Sequence, residues 1–323
     1  MENKISVRAV ATIATSLVAA VISLKLSSVI PLIGPLLWAL IIGIIVANSP
    51  EPISGRLRTT GGGVQMMLRL GVAMIGLKLS LYDLLALGLP GLIVIVATVT
   101  ATYVGTLWLG RILRLESGLV QLIAGGFAIC GAAAIVAINE TVRANRRDVG
   151  LALALVTLFG SLMIILIPAS SRALGLSTEQ AAIWAGASIH EVAQVVAAAS
   201  LIGTAALAPA TTIKLGRVLM LAPVVAFAGR SRSDAQRSPS PLPWFVAAFL
   251  VAVVIATTGV LPPAVLRVTD LITVLLLAAG MFGLGTGIAV KDLWPIPKRA
   301  LALSVGATFI ATGVALLCVL TLV

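Results

Sequence analysis

The chain has 323 residues, 60% of them hydrophobic and only 10% charged, with a formal net charge of +11. A soluble domain carries about 25% charged residues, so this composition, with a mean hydropathy of +1.16, excludes a soluble fold. The positive balance does not point to nucleic acid: Lys and Arg gather in connections such as Arg143, Arg146, Arg147 and Arg230, Arg232, Arg237, where membrane insertion favours them on the cytoplasmic side.

Apolar segments are expected at about 9–27, 31–48, 64–80, 90–110, 118–139, 149–171, 180–203, 211–229, 242–260, 269–290 and 300–322. Lengths near 20 residues suit a hydrocarbon core about 30 Å thick. The spacing predicts an all-α polytopic membrane protein with about 9–11 membrane segments in a single domain, 1–323. The first apolar segment shows no cleavage region of a secretory signal. It also has no counterpart later in the chain, so residues 1–30 read as an added N-terminal helix. Turn chemistry marks Asn48-Ser49-Pro50-Glu51-Pro52, Gly61-Gly62-Gly63 and the stretch Ser238-Pro239-Ser240-Pro241-Leu242-Pro243. The last, with its preceding arginines, is expected to be a cytoplasmic link.

Segment 64–80 holds Arg69 and Lys78. Lys25, Lys78 and Lys214 stand near segment ends and are expected to snorkel to the interface; Arg69 lies deeper and is a candidate for attracting an anion. This region also opens an internal similarity. Leu70–Leu84 aligns without gaps on Ala279–Leu293, so that Gly71 meets Gly280, Gly76 meets Gly285 and Asp83-Leu84 meets Asp292-Leu293. A second similarity pairs Ile123–Ala137 with Ile183–Ala197. If 118–139 and 180–203 each enter the membrane and return on their own side, the Arg143–Arg147 loop becomes cytoplasmic, as positive charge requires. The two similar segments then lie on opposite faces. That arrangement is an inverted repeat, with 31–175 and 176–323 as its halves; full-crossing broken helices are the competing form.

The run Ala124–Ala134 is dense in small residues. Glycine costs a helix about 1 kcal/mol relative to alanine, so a break is expected near Cys130-Gly131. The N–H groups opening the next helix, with its dipole, would make an anion site from Cys130, Gly131, Ala132 and Ala133. Close helix packing through small residues is the other use of such a run.

Segment 180–203 contains the single histidine, His190, beside Glu191. A carboxylate near the bilayer centre costs on the order of 3 kcal/mol on insertion scales, so Glu191 marks a substrate or ion pathway more readily than a packing site. If helix continues through the segment, His190 and Gln194 share a face, and Ser188 and Gln194 join the candidate binding groups. His190 and Glu191 are the candidates for coupling to a proton. The string His190-Glu191-Val192-Ala193-Gln194 resembles the start of a zinc-protease motif. It fails because Gln194 stands where a second histidine is needed and no other histidine exists. Cys130 and Cys318 form no metal-spaced motif, and no phosphate-binding glycine loop occurs; no cofactor is expected.

The strings Ile129-Cys130-Gly131-Ala132-Ala133-Ala134, Ser188-Ile189-His190-Glu191-Val192-Ala193-Gln194-Val195-Val196-Ala197-Ala198 and Arg217-Val218-Leu219-Met220-Leu221-Ala222-Pro223 resemble the YeiH-like sulfate exporter family of bacterial inner-membrane proteins. The Gly283–Gly287 turn followed by Asp292-Leu293 fits the same pattern. The resemblance covers nearly the whole chain. It implies a fold related to the bile-acid symporter and sodium–proton antiporter group, with broken helices at a central site. It also implies multi-pass residence in the bacterial inner membrane and export of a small anion. The leading expectation is a secondary transporter of sulfate or a related sulfur-containing or carboxylate anion, coupled to protons or sodium, with room for a homodimer. A membrane enzyme using His190 and Ser188, and a non-transporting sensor, are the alternatives.

Overall fold

In lipid a backbone satisfies its N–H and C=O groups only internally, so long apolar runs between polar turns become helices. The computed structural model describes residues 2–30, 34–50, 62–230, 243–286 and 296–323. Gly61, residues 231–242 of the proline-rich link, Gly287 and Asp292-Leu293 lie outside the described residues. In chain order the helices are α1 Glu2–Val29, α2 Pro35–Ala47, α3 Gly62–Ile75, α4 Leu81–Ala86, α5 Gly88–Ile112, α6 Ser117–Ala128, α7 Ala132–Val142 and α8 Arg146–Ala173. They continue with α9 Thr178–Ser188, α10 Val192–Ile202, α11 Leu207–Leu219, α12 Leu221–Arg230, α13 Trp244–Thr257, α14 Pro263–Gly285 and α15 Lys298–Leu322. Five stretches among the described residues are long and apolar enough to cross a bilayer: Gly88–Ile112, Arg146–Ala173, Thr204–Ala228, Pro263–Gly285 and Lys298–Leu322. The chain is a multi-pass helical membrane protein.

The helices sort into two groups. One comprises α1, α2, α3, α13 and α14; the other is built around α5, α6, α8, α9, α10, α11 and α15. In the first group, α3 and α14 pack closely. A methyl placed on Gly71 would lie 2.7 Å from Leu277 Cγ, and one on Gly280 would run into Leu68. Position 280 is the aligned counterpart of 71, and 277 stands at the same offset from 68, just before the aligned stretch. The same alignment relates two further contacts. Gly285 abuts Leu40 O and the Gly43 Cα, while Gly76 abuts Phe249 O and the Ala252 Cβ.

In the second group, two segments double back. Helices α6 and α7 lie side by side, with Gly125 against Ile138 and Gly118 against Ala144 just beyond the end of α7. The segment therefore leaves on the face where it entered. Ser177 caps α9 by accepting from the Gln180 N–H at 3.1 Å, which fixes where the second such segment begins. Its far end comes home too: Arg172, at the end of α8, donates to Leu201 O near the end of α10 at 2.6 Å. Helix α8, with 28 residues and a length of about 42 Å, separates the two bases and puts them on opposite faces. Arg111, Arg114, Arg143, Arg146, Arg147, Lys298 and Arg299 mark one face. Lys25, Lys78, Arg172 and Arg267 mark the other.

Two expectations are corrected. Helix does not continue through His190: α9 stops at Ser188, and Ile189 (ψ 145) and Glu191 (ψ 149) are extended. His190 and Gln194 therefore do not share a helix face. Lys214 does not snorkel: it is fully buried between the two hairpins.

Candidate functional site

The tips of the two hairpins meet at mid-depth. At the first, α6 ends at Ala128 and α7 begins at Ala132, with Gly131 at φ 76 and ψ −124, where a Cβ is strained. Space forbids a side chain there as well, since a methyl on Gly131 would lie 2.6 Å from Glu191 Cγ. At the second tip, the His190 ring packs on Phe127 with centroids 4.4 Å apart. His190 Nε2 lies 3.4 Å from Thr308 Oγ1. That hydroxyl donates to Ser304 O at 2.9 Å, so it is free to accept, which suits the tautomer with hydrogen on Nε2.

Breaking two helices leaves carbonyls without their usual partners. Two cations of α11 take them up. Lys214 Nζ donates to Ile129 O at 2.6 Å and to Ile189 O at 2.8 Å. Arg217 donates to Phe127 O at 2.8 Å through Nη2, to Ala128 O at 3.0 Å through Nε and 2.7 Å through Nη2, and to Ala187 O through Nη1. Ile129 and Ile189 are aligned counterparts, and so are Phe127 and Ala187. Each cation thus binds equivalent atoms of both tips. Positive charge at two helix C-termini also complements their dipoles.

A cavity of about 700 Å³ opens beside the tips. Cys130, Ala132, Ala133, Glu191 and Val192 form its inner end, which is where α7 and α10 begin. Ser200 and Leu201 of α10, Ser27 of α1 and Lys78 lie towards its mouth on the cation-poor face. Lys78 Nζ is 2.9 Å from Asp270 Oδ1. Glu191 is 7% exposed, lies by the backbone N–H of Ala132, and has no hydrogen-bond partner for Oε1 among the described residues. Towards the cation-rich face the two groups of helices are joined by α3 and α7, where Arg69 Nη2 meets Glu140 Oε2 at 2.6 Å.

Of the residues singled out from sequence, Cys130, Ala132, Ala133 and Glu191 line the cavity, and Gly131 shapes the tip behind them. Gln194 faces α8 instead. Its Oε1 accepts from the Glu191 N–H at 3.1 Å, and its Nε2 donates to Thr157 O at 3.3 Å. Ser188 and His190 are buried behind the tips, away from the cavity lining. Arg69 is committed to Glu140. Sequence reasoning missed the placement of Lys214 and Arg217. Their signal was present: Thr204–Ala228 is long enough to span, which puts Lys214 about ten residues, or ~15 Å, inside it.

Comparison with known proteins places the chain among bacterial membrane proteins. A family described as "Conserved hypothetical protein 698" matches residues 10–304. A UPF0324 membrane protein of Corynebacterium glutamicum is 40% identical over 296 residues, 88% of this chain and 84% of its own. One from Bordetella bronchiseptica is 36% identical over 258 residues, covering 75% of this chain and 80% of its own. One from Pseudomonas putida is 34% identical over 285 residues, 84% and 80% of the two chains. The chain therefore belongs to the UPF0324 family of bacterial membrane proteins, the YeiH-like family its motifs resemble.

Proposed function

We propose that the protein is a secondary active transporter of a small anion, worked by alternating access and coupled through Glu191. One observation carries this reading. A buried carboxyl group with an unpartnered oxygen stands in a cavity wall where two broken helices begin. Helix N-termini attract anions, and discontinuous helices pointing their N-termini at a mid-membrane site are a transporter arrangement. The aligned contacts of α3 with α14, and of Gly76 and Gly285 with their neighbours, support an inverted repeat related to the bile-acid symporter and sodium–proton antiporter group. Positive charge marks the cytoplasmic face, so the cavity opens outward. An outward-open site suits release by an exporter of sulfate or of another sulfur-containing or carboxylate anion.

Coupling follows from charge. Two negative charges about 4 Å apart repel by about 4 kcal/mol at an effective dielectric of 20. An anion at the tips therefore binds best when Glu191 carries a proton, and Gln194 and Lys214 hold the backbone that positions it. His190, behind the tip, is the second titratable group of this reading. The test is purified protein in liposomes, a panel of anions and an imposed pH or sodium gradient. Glu191→Gln keeps the shape and removes the ionisable proton. Anion flux driven by a pH gradient in the wild type and lost in this variant is the expected result. Wild-type rates and pH dependence in Glu191→Gln would leave Glu191 as packing and end the coupling reading.

A further inference from the structure

The shape and chemistry of the cavity say more about its ligand than the tips alone. An ion the size of sulfate displaces roughly two or three waters of ~30 Å³ each, a small part of the cavity's volume of about 700 Å³. Pockets of ~300–1,000 Å³ hold organic molecules with many heavy atoms. Beyond the tips the walls are mostly apolar, including Leu36, Ile75, Ile164, Val196 and Leu277. Two of the hydroxyls among them are engaged, Ser200 donating to Val196 O at 2.8 Å and Thr273 to Thr269 O at 2.7 Å, and Ser27 stands at the mouth.

Charge decides the valence. Lys214 and Arg217 are both 0% exposed and spend their donors on carbonyls of the tips. Lys78 is paired with Asp270 at the mouth. The charges of Lys214 and Arg217 stand behind the tips and serve a head held there, whereas among the described residues of the lining no unpaired cation stands beyond the tips, so a second negative charge carried out along the apolar walls would be uncompensated. The inner end offers the N-termini of α7 and α10, each of 11 residues, beside the unpartnered Oε1 of the buried Glu191. We propose that this cavity takes an amphipathic organic monoanion, its single oxyanion head at the tips and its apolar body along α10 and α14. This rests on the anion-transport reading above and replaces hydrated sulfate as the ligand.

The experiment measures protection of Cys130 from a small maleimide by added anions, in lipid nanodiscs and a Cys318→Ala background. The probes are sulfate and two series, the n-alkyl carboxylates and the n-alkanesulfonates, from two carbons upward. Protection should tighten about three- to fourfold per added methylene, the value of burying a CH₂, with sulfate inactive. Val196→Trp, at a position 40% exposed and therefore tolerant, should abolish protection by the longer members and spare the shortest. Tightening among chains of up to eight carbons supports a ligand drawn from water; protection by membrane-partitioning chains of fourteen or more alone supports one drawn from the bilayer. Protection by sulfate without chain-length dependence would overturn the proposal and leave the anion site standing. Protection by no anion would overturn both.

Discussion

Lys214→Met removes the ammonium from between the hairpin tips while keeping a flexible side chain of similar length. In the wild type two carbonyls, Ile129 O and Ile189 O, are held at 2.6 and 2.8 Å. Bonds to a charged donor contribute about 1.5–3 kcal/mol each, or about 3–6 kcal/mol for the pair. Methionine also removes a buried charge whose desolvation costs several kcal/mol, and these two terms roughly cancel. What remains is the penalty for two orphaned carbonyls, about 1–3 kcal/mol each, so the variant should lose about 2–6 kcal/mol. Arg69→Met makes the contrast. Its ion pair has side chains 26% and 28% exposed, and such a pair contributes no more than about 1 kcal/mol. Unfolding of the purified proteins in mixed micelles, followed by helix content, compares the two directly. Lys214→Arg serves as the control that retains charge and donors. If Lys214→Met lies within about 1 kcal/mol of the wild type, the two carbonyls do not depend on the ammonium and the account of the tips is wrong.

Gly131→Ala adds a methyl 2.6 Å from Glu191 Cγ at a φ of 76; it should abolish anion flux in liposomes while helix content is preserved, and normal flux would contradict the tight tip. Glu140→Gln should leave stability within about 1 kcal/mol yet raise labelling of Cys130 by reagents applied from the cation-rich face, because the pair with Arg69 ties α3 to α7 on that side; unchanged labelling would deny it a gating role. Gly76→Ala and Gly285→Ala each push a methyl into a carbonyl oxygen, Phe249 O and Leu40 O respectively. Each should lower stability by about 1–3 kcal/mol where alanine ordinarily favours a helix, and thermal unfolding of the two variants should give matching losses.

Much of this was legible in the chain, and the exceptions have physical causes. The break at Cys130-Gly131 announced itself because glycines sit where helix is costly. The matching break at Ile189–Glu191 did not, since isoleucine, histidine and glutamate do not oppose helix; only the alignment of Gly131 with Glu191 carried the signal. Lys214 read as an interfacial cation, and Arg217 drew no reading of its own, because local pattern does not reveal what lies across from a helix. Their partners are backbone oxygens from segments 85 and 25 residues away in the chain for Lys214, and backbone has no sequence signature. Gln194 was legible as polar in an apolar stretch, but its direction depended on Gly160 of α8, which leaves it room.

Transporters commonly use the carbonyl ends of interrupted helices to coordinate a dissolved cation that arrives and departs with each cycle. In this protein those oxygens are held by an ammonium and a guanidinium attached to the chain itself. A tethered cation has no concentration and cannot be diluted away, so the neutralisation of both tips does not change with the ionic composition of either compartment. It also rivets the two hairpins to α11, so that, if access alternates as proposed, they would travel as one unit past α1–α3 and α13–α14. On the transport proposal, whatever varies through the cycle is left to the opposite ends of the same junction, where among the described residues the only ionisable side chains on the cavity wall at the tips are Glu191 and the Cys130 thiol.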